Sequence, residues 1–222
     1  MQYPVILADP PVPFETWGKR PGGIDSRTAD AHYDIMTWRG LFSLGESIRA
    51  VAADDCVLFL WLCQPLLRET LAMARRWGFR YKTKAFSWCK TYLSRSSFFV
   101  GMGYWTRANT EDVLLFTRGS PQRISKSVYQ LFATLERMPY EAPAVVAPMT
   151  RHSEKPEEVQ DRIERLVEGP YLELFARRHR PGWTCIGNEL DGLDIRESLA
   201  RLARDETLPT VRQATIQEAL PL

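Results

Sequence analysis

Short, wholly apolar runs alternate with stretches of helical periodicity along this chain of 222 residues. The first run, Val5-Ile6-Leu7, has no polar alternation, the pattern of a strand covered on both faces of a parallel sheet. Pro10 and Pro11 cannot extend a strand ladder, so Asp9 is left at the strand's end. Ser43 and Glu46 have capping-box spacing, and Leu44, Ile48, Val51 and Ala52 follow at helical intervals. Residues 56–62 predict a second buried strand. Pro65 opens a helix faced by Leu67, Leu71 and Ala74, with Gly78 placed to end it. Strands are predicted over 81–90, which carries Trp88 and Lys90, and over 113–116. Ile124, Val128, Leu131, Phe132 and Leu135 predict an amphipathic helix over 122–137, and 144–147 a short strand. Pro156 opens another helix, with Glu157 and Glu158 complementing its dipole. Val159, Ile163, Leu166 and Val167 line its face, and Gly169 closes it. Strands follow at 171–176 and 183–186. Ile195, Leu199 and Leu202 mark one more helix before Pro209 and Pro221 break the pattern. About seven strands with intervening helices give an α/β order. Two long loops, 13–34 and 91–110, are rich in glycine and aromatic residues, and loops of such length carry function or are disordered.

The length suits one α/β domain rather than two. We expect a domain over 1–192 and a helical extension over 193–222. The longest apolar runs, near 56–63, fall short of a membrane span, and no signal peptide precedes the first strand, so a cytoplasmic protein without membrane contact is expected. Cys56, Cys63, Cys89 and Cys185 lack paired metal spacing; three lie in apolar or aromatic runs as small hydrophobes, and neither disulfide nor metal is expected. The net charge of +2 is unevenly spread. Residues 75–126 hold eleven Lys and Arg against Glu111 and Asp112. Such a stretch is either a face for a polyanion or a solvated basic surface.

There is no phosphate-cradling glycine loop, no Gly-x-Gly-x-x-Gly after the first strand, and no nucleophile elbow. His32, His152 and His179 are far apart and form no metal-binding pair. These features count against a hydrolase, a kinase and a metalloenzyme. What stands out is a carboxylate just beyond a strand's carboxyl end, where ligands bind in open α/β sheets. Asp9 either caps a turn or accepts a hydrogen bond from an exocyclic amine. In the second case aromatic side chains stack the planar base and basic ones hold phosphates.

Asp9-Pro10-Pro11 resembles the Asp-Pro-Pro-aromatic motif of amino-methyltransferases that use S-adenosylmethionine. More closely, the chain resembles the family of the seventy-kilodalton MT-A subunit, the N6-adenine methyltransferases. The resemblance runs from about residue 5 to 192. It includes His32-Tyr33 before Met36, Val57-Leu58-Phe59-Leu60-Trp61, Trp88-Cys89-Lys90 and Gly101-Met102-Gly103-Tyr104-Trp105-Thr106-Arg107-Ala108-Asn109-Thr110-Glu111. It continues with His152-Ser153-Glu154-Lys155-Pro156, Glu173-Leu174-Phe175-Ala176-Arg177 and Gly182-Trp183 through Gly187-Asn188-Glu189.

The resemblance implies a Rossmann-like class I methyltransferase sheet in permuted order, the catalytic strand first, with helices on both faces. It implies S-adenosylmethionine as cofactor and the N6 amine of adenine in nucleic acid as acceptor. DNA is favoured over RNA because the chain is compact and no RNA-binding module is evident. Asp9, Pro10 and Pro11 form the implied catalytic corner, with Asp9 and Pro10 also meeting the cofactor. Lys155, Phe175, Arg177, His179, Asn188 and Glu189 are the implied cofactor contacts. Phe14, Trp17, Tyr33, Trp61, Trp88, Lys90, Arg107, Asn109 and Glu111 are implied around the substrate. Trp61 and Trp88 can equally be core aromatics. Val12 departs from the family's aromatic and offers no π face, which implies altered base gripping with catalysis retained. Residues 132–143 are longer than the family pattern and suit a partner or substrate surface. A fold-keeping partner without activity and an enzyme for a small nucleoside or other amine are the alternatives, and monomer and homodimer both stay open.

Overall fold

A computed structural model of the chain describes residues 1–14, 35–91, 98–101, 103, 105–132, 147–148 and 155–210. Trp17, Tyr33, most of the 13–34 loop, residues 133–146 and the His152–Glu154 triplet lie outside the described residues, as does Pro221.

β1 (Tyr3–Ala8) lies inside the sheet, parallel to β2 (Ala52–Leu62) on one side and to β7 (Tyr171–Leu174) on the other. This placement is why its apolar run has no polar alternation: Ile6 and Ala8 enter one apolar cluster, Val5 and Leu7 the other. β3 (Arg80–Thr91) and β4 (Thr110–Arg118) extend the sheet beyond β2, with β4 antiparallel to both neighbours. β8 (Trp183–Ile186) lies outside β7. Two short strands, β5 (Leu131–Phe132) and β6 (Ala147–Pro148), pair with β3, and the order is β5-β3-β4-β2-β1-β7-β8 with β6 off this path.

α1 (Trp38–Ser43), α2 (Gly45–Val51), α3 (Leu67–Arg76) and α6 (Ile195–Ala203) cover one face of the sheet, through Leu41, Ile48, Met73 and Leu199 among others. α4 (Glu158–Leu166) covers the other, through Val159 and Ile163. The short α5 (Asn188–Asp191) follows β8. The expected α/β sheet with helices on both faces is therefore the fold, and β4 makes the sheet mixed.

Local expectations needed correction. The helix expected after Ser43 forms as α2, but its cap is Leu44, because Ser43 is the last residue of α1; the Ser43 hydroxyl donates to the Gly40 carbonyl at 2.7 Å. The buried face of α3 is Thr70, Met73 and Ala74, while Leu67 stays 42% exposed. No helix forms over 122–130, and residues 131–132 are strand. The Ser127 amide there bonds the Ser125 hydroxyl, and the Gln130 carbonyl bonds the Ser87 amide of β3, so side chain and sheet take the groups a helix would have used. Ile124, expected on its apolar face, is 60% exposed.

Candidate active site

Asp9 follows β1 directly, and its amide reaches back to the Leu174 carbonyl of β7 at 3.5 Å. By strand alternation it faces the same side as Val5 and Leu7, the side covered by α4. Pro10 is buried, its carbonyl accepts from the Val12 amide at 2.8 Å, and the Pro11 carbonyl accepts from the Met36 amide at 3.0 Å. The corner is thus tied at both prolines.

Lys155, at the residue before Pro156 and the α4 entry, brings its ammonium to 2.8 Å from Asp9 Oδ2 and 3.6 Å from Glu111 Oε2. Glu111 on β4 is also ion-paired with Lys90 on β3. The result is a row of alternating charge, Asp9, Lys155, Glu111, Lys90, at the carboxyl edge of the parallel strands. Trp61 and Trp88 floor this row, edge to face at 6.2 Å between ring centres. Lys155 and Lys90 each lie 5.2 Å over one of those rings. The indoles are only 5% and 1% exposed, so both act as core aromatics under the ammonium groups.

Burial opposes the Lys155 ammonium, but Asp9 and Glu111 outweigh it and hold its pKa above the ordinary value. Burial likewise pushes Glu111 up, and Lys155 and Lys90 overcome it to leave the carboxyl below its usual range.

Beyond β7 the chain turns sharply at Phe175, whose φ is 63°. The Ala176 amide then reaches the Ile186 carbonyl at 2.9 Å. A Cβ at Gly187 would lie 2.2 Å from the Ala176 oxygen, so these two strand exits approach only because residue 187 has no side chain. Arg177 and Glu189 meet across the gap at 3.7 Å. His179, Asn188 and Glu189 are exposed at this edge, and Arg177 is close enough to Lys155 to act on its charge. Phe175 and Val12 are half-buried and pack against the apolar cluster on the α2 side, away from the charged row. Phe14 is half-buried, Arg107 exposed, and the Asn109 carbonyl holds the Lys90 amide at 2.8 Å. The Trp17 and Tyr33 positions lie outside the described residues.

Three neighbours of the site were not read from the sequence. Cys63, at the end of β2, senses Glu111, Lys155 and Asp9; burial, with Glu111 next, pushes its thiol up to about 11. Arg178 holds the Lys155 carbonyl at 2.8 Å. Glu173 in β7 accepts from Gln160 at 2.6 Å, and burial, reinforced by Asp9, raises it to about 7. Its signal was a lone acid inside an otherwise apolar strand.

The basic stretch does not form one face. Arg75, Arg76, Arg80, Lys82 and Arg118 lie at the amino end of β3 or beside it, opposite the charged row. Lys90 and Arg107 stand on the site's side. Among the described residues no helix is long and apolar enough to cross a membrane.

The MT-A70 family model matches residues 3–189. The chain is 31% identical over 206 residues to the type II methyltransferase M.MunI of a Mycoplasma species, covering 85% of this chain and 78% of that one. It is 31% identical over 204 residues to the human N(6)-adenosine-methyltransferase catalytic subunit METTL3, covering 87% of this chain and 29% of METTL3. A 49-residue stretch is 51% identical to the human N(6)-adenine-specific methyltransferase METTL4, over 21% of this chain and 10% of that protein.

Proposed function

The chain belongs to the MT-A70 family, and we propose that it transfers a methyl group from S-adenosylmethionine to the N6 amine of adenine in nucleic acid, DNA ahead of RNA. The observation that carries this reading is the Asp9 carboxylate on its tied proline corner, 2.8 Å from a half-buried ammonium at the sheet's carboxyl edge.

The donor set fits the cofactor. A molecule with a carboxylate, an ammonium, a ribose diol and an adenine needs a cation, carboxylates and amide groups at one edge. Lys155, with Arg177 near it, would take the carboxylate; Arg177, His179, Asn188 and Glu189 would take the ribose and adenine, with Phe175 shaping the turn between them. When bound, S-adenosylmethionine supplies a methyl group on a positively charged sulfur.

The chain's own residues prepare the acceptor. The adenine N6 is a weak nucleophile because its lone pair is delocalised into the ring. Asp9 accepts one N6 hydrogen, and the Pro10 carbonyl, with a lone pair beyond that used by the Val12 amide, accepts the other. Both bonds would favour a pyramidal nitrogen and stabilise the positive charge that develops on it as it takes up the methyl group. The cationic amine then loses its proton readily, so no strong base is required. Phe14, Asn109 and Arg107 would line the nucleotide's side of the site, and duplex substrate needs the base extruded first. A cytoplasmic setting fits the four free thiols.

The test is incubation with isotope-labelled cofactor and separate DNA and RNA oligonucleotides, followed by nucleoside mass spectrometry. N6-methyladenine is expected, more from DNA. Asp9→Ala should lower its formation by about 100-fold or more with the thermal melt unchanged in shape. Normal product from that variant would remove Asp9 from its role.

A further inference from the structure

Between β3 and β4, beside the charged row, the described residues 98–101 and 105–109 form a turn. Its root is fastened to Lys90 on both sides: the Lys90 amide donates to the Asn109 carbonyl and the Phe99 amide donates to the Lys90 carbonyl, each at 2.8 Å. An antiparallel bridge Thr91–Phe98 ties residues 98–101 to the end of β3, and Gly101–Ala108 joins the two arms of the turn that follows. Farther out, a Cβ at Gly103 would lie 2.1 Å from the Thr106 oxygen, so the arms close there only because residue 103 is glycine. Trp105 stands at this tip and is 100% exposed. Phe98 and Val100 along the same arms are 51% and 55% exposed.

An indole held wholly in water on a fastened turn contributes nothing to the core. Its surroundings indicate what it meets. Residues 98–110 contain Arg107 and no acid, and Arg107 is exposed two positions from Trp105. An aromatic face beside a guanidinium, without a neighbouring carboxylate, is complementary to a nucleic-acid strand: the ring stacks on a base and the cation holds a phosphate. Trp105 is six positions from Glu111, a reach of roughly 20 Å along extended chain, which spans a few nucleotides.

We propose that Trp105 is a stacking platform for a base that flanks the target adenine by a few nucleotides, with Arg107 on the phosphate between them. The proposal rests on the nucleic-acid methyltransferase reading above and adds to it where the strand is gripped outside the reacting pocket.

The full chain, Trp105→Ala and Trp105→Phe are compared in three measurements: S-adenosylmethionine affinity by calorimetry, oligonucleotide affinity by anisotropy, and methyl transfer across oligonucleotide concentrations. Trp105→Ala is expected to weaken oligonucleotide binding and raise its KM by about 5- to 100-fold. The loss falls on KM rather than kcat, cofactor affinity stays as in the parent, and Trp105→Phe restores most of the affinity. An unchanged KM in Trp105→Ala, with the parent active, overturns this proposal and leaves the methyltransferase reading standing. No oligonucleotide binding and no transfer by the parent overturns both. A parent that is dimeric by light scattering, dissociated by Trp105→Ala with oligonucleotide affinity intact, makes the tip a contact between copies and also overturns it.

Discussion

Lys155 carries a half-buried positive charge between Asp9 and Glu111, so its removal leaves Asp9 without a counter-ion and Glu111 with Lys90 alone. Lys155→Met is therefore expected to weaken cofactor binding by at least about tenfold, one lost charge-assisted contact, and to lower the melting temperature as well, both measurable by calorimetry. Glu173 and Glu111 set the pH range of the unliganded fold from opposite sides. Glu173 is raised from the ordinary 4.5 to about 7 by burial and then Asp9, so the native state binds a proton the unfolded chain releases, and stability falls as pH rises from about 4.5 through 7. Gln160, Cys185, Asp9, Arg178 and Arg180 are the groups that face it. Glu111 is shifted the other way, so its contribution is present above 4.5 and lost as pH falls through its lower native value. Thermal melts should show Glu173→Gln stabilised at pH 8 relative to the parent, by on the order of 1–3 kcal/mol, with little difference at pH 5. A parallel loss or gain at both pH values would detach the effect from titration. Asp9 was legible in the sequence because an apolar run ends on it. The partnership of Asp9 with Lys155 and Glu111 was not legible as geometry, because the three are separated by up to 146 positions along the chain.

At the level of elements, the α4 and β8 readings held because their periodicity agreed with their tertiary surroundings. The helix expected over 122–137 did not form in its described part. Ile124 and Val128 are β-branched and have no strong helical preference of their own. The sheet edge at Ser87 and the serine side chains offered their backbone other partners. α6 shows the opposite case, a short helix whose start is secured locally: Asp194 accepts from the Arg196 amide at 2.8 Å, and Ile195, Leu199 and Leu202 are buried in the main apolar cluster. Asp194→Ala is expected to cost about 1 kcal/mol, read as a lower denaturation midpoint with an unchanged slope.

At the level of the whole molecule, the sheet sorts the basic residues by direction of travel. β3 runs parallel to β2, so Arg80 and Lys82 at its start are roughly 30 Å from Lys90 at its end, at about 3.3 Å per residue. They are too far away to hold the phosphates of the nucleotide beside Asp9. Reversing both, Arg80→Glu with Lys82→Glu, should leave oligonucleotide affinity within about twofold. Arg107→Ala should weaken binding of all sequences alike and reduce the salt slope by about one phosphate. Salt titrations of anisotropy distinguish the two, and a large loss from the reversed pair would return the whole basic stretch to the interface.

The chain's linear order determined the alternating strands and helices, the acid at the end of the first strand and the family resemblance, since each depends on neighbours a few positions apart or on short motifs. The tertiary structure alone decided which charges meet, that Trp61 and Trp88 lie beneath two ammoniums, and that the basic residues part to opposite ends. Strand pairing and direction place those groups, and both are set by burial and by hydrogen bonds between segments far apart in sequence, which no local pattern records.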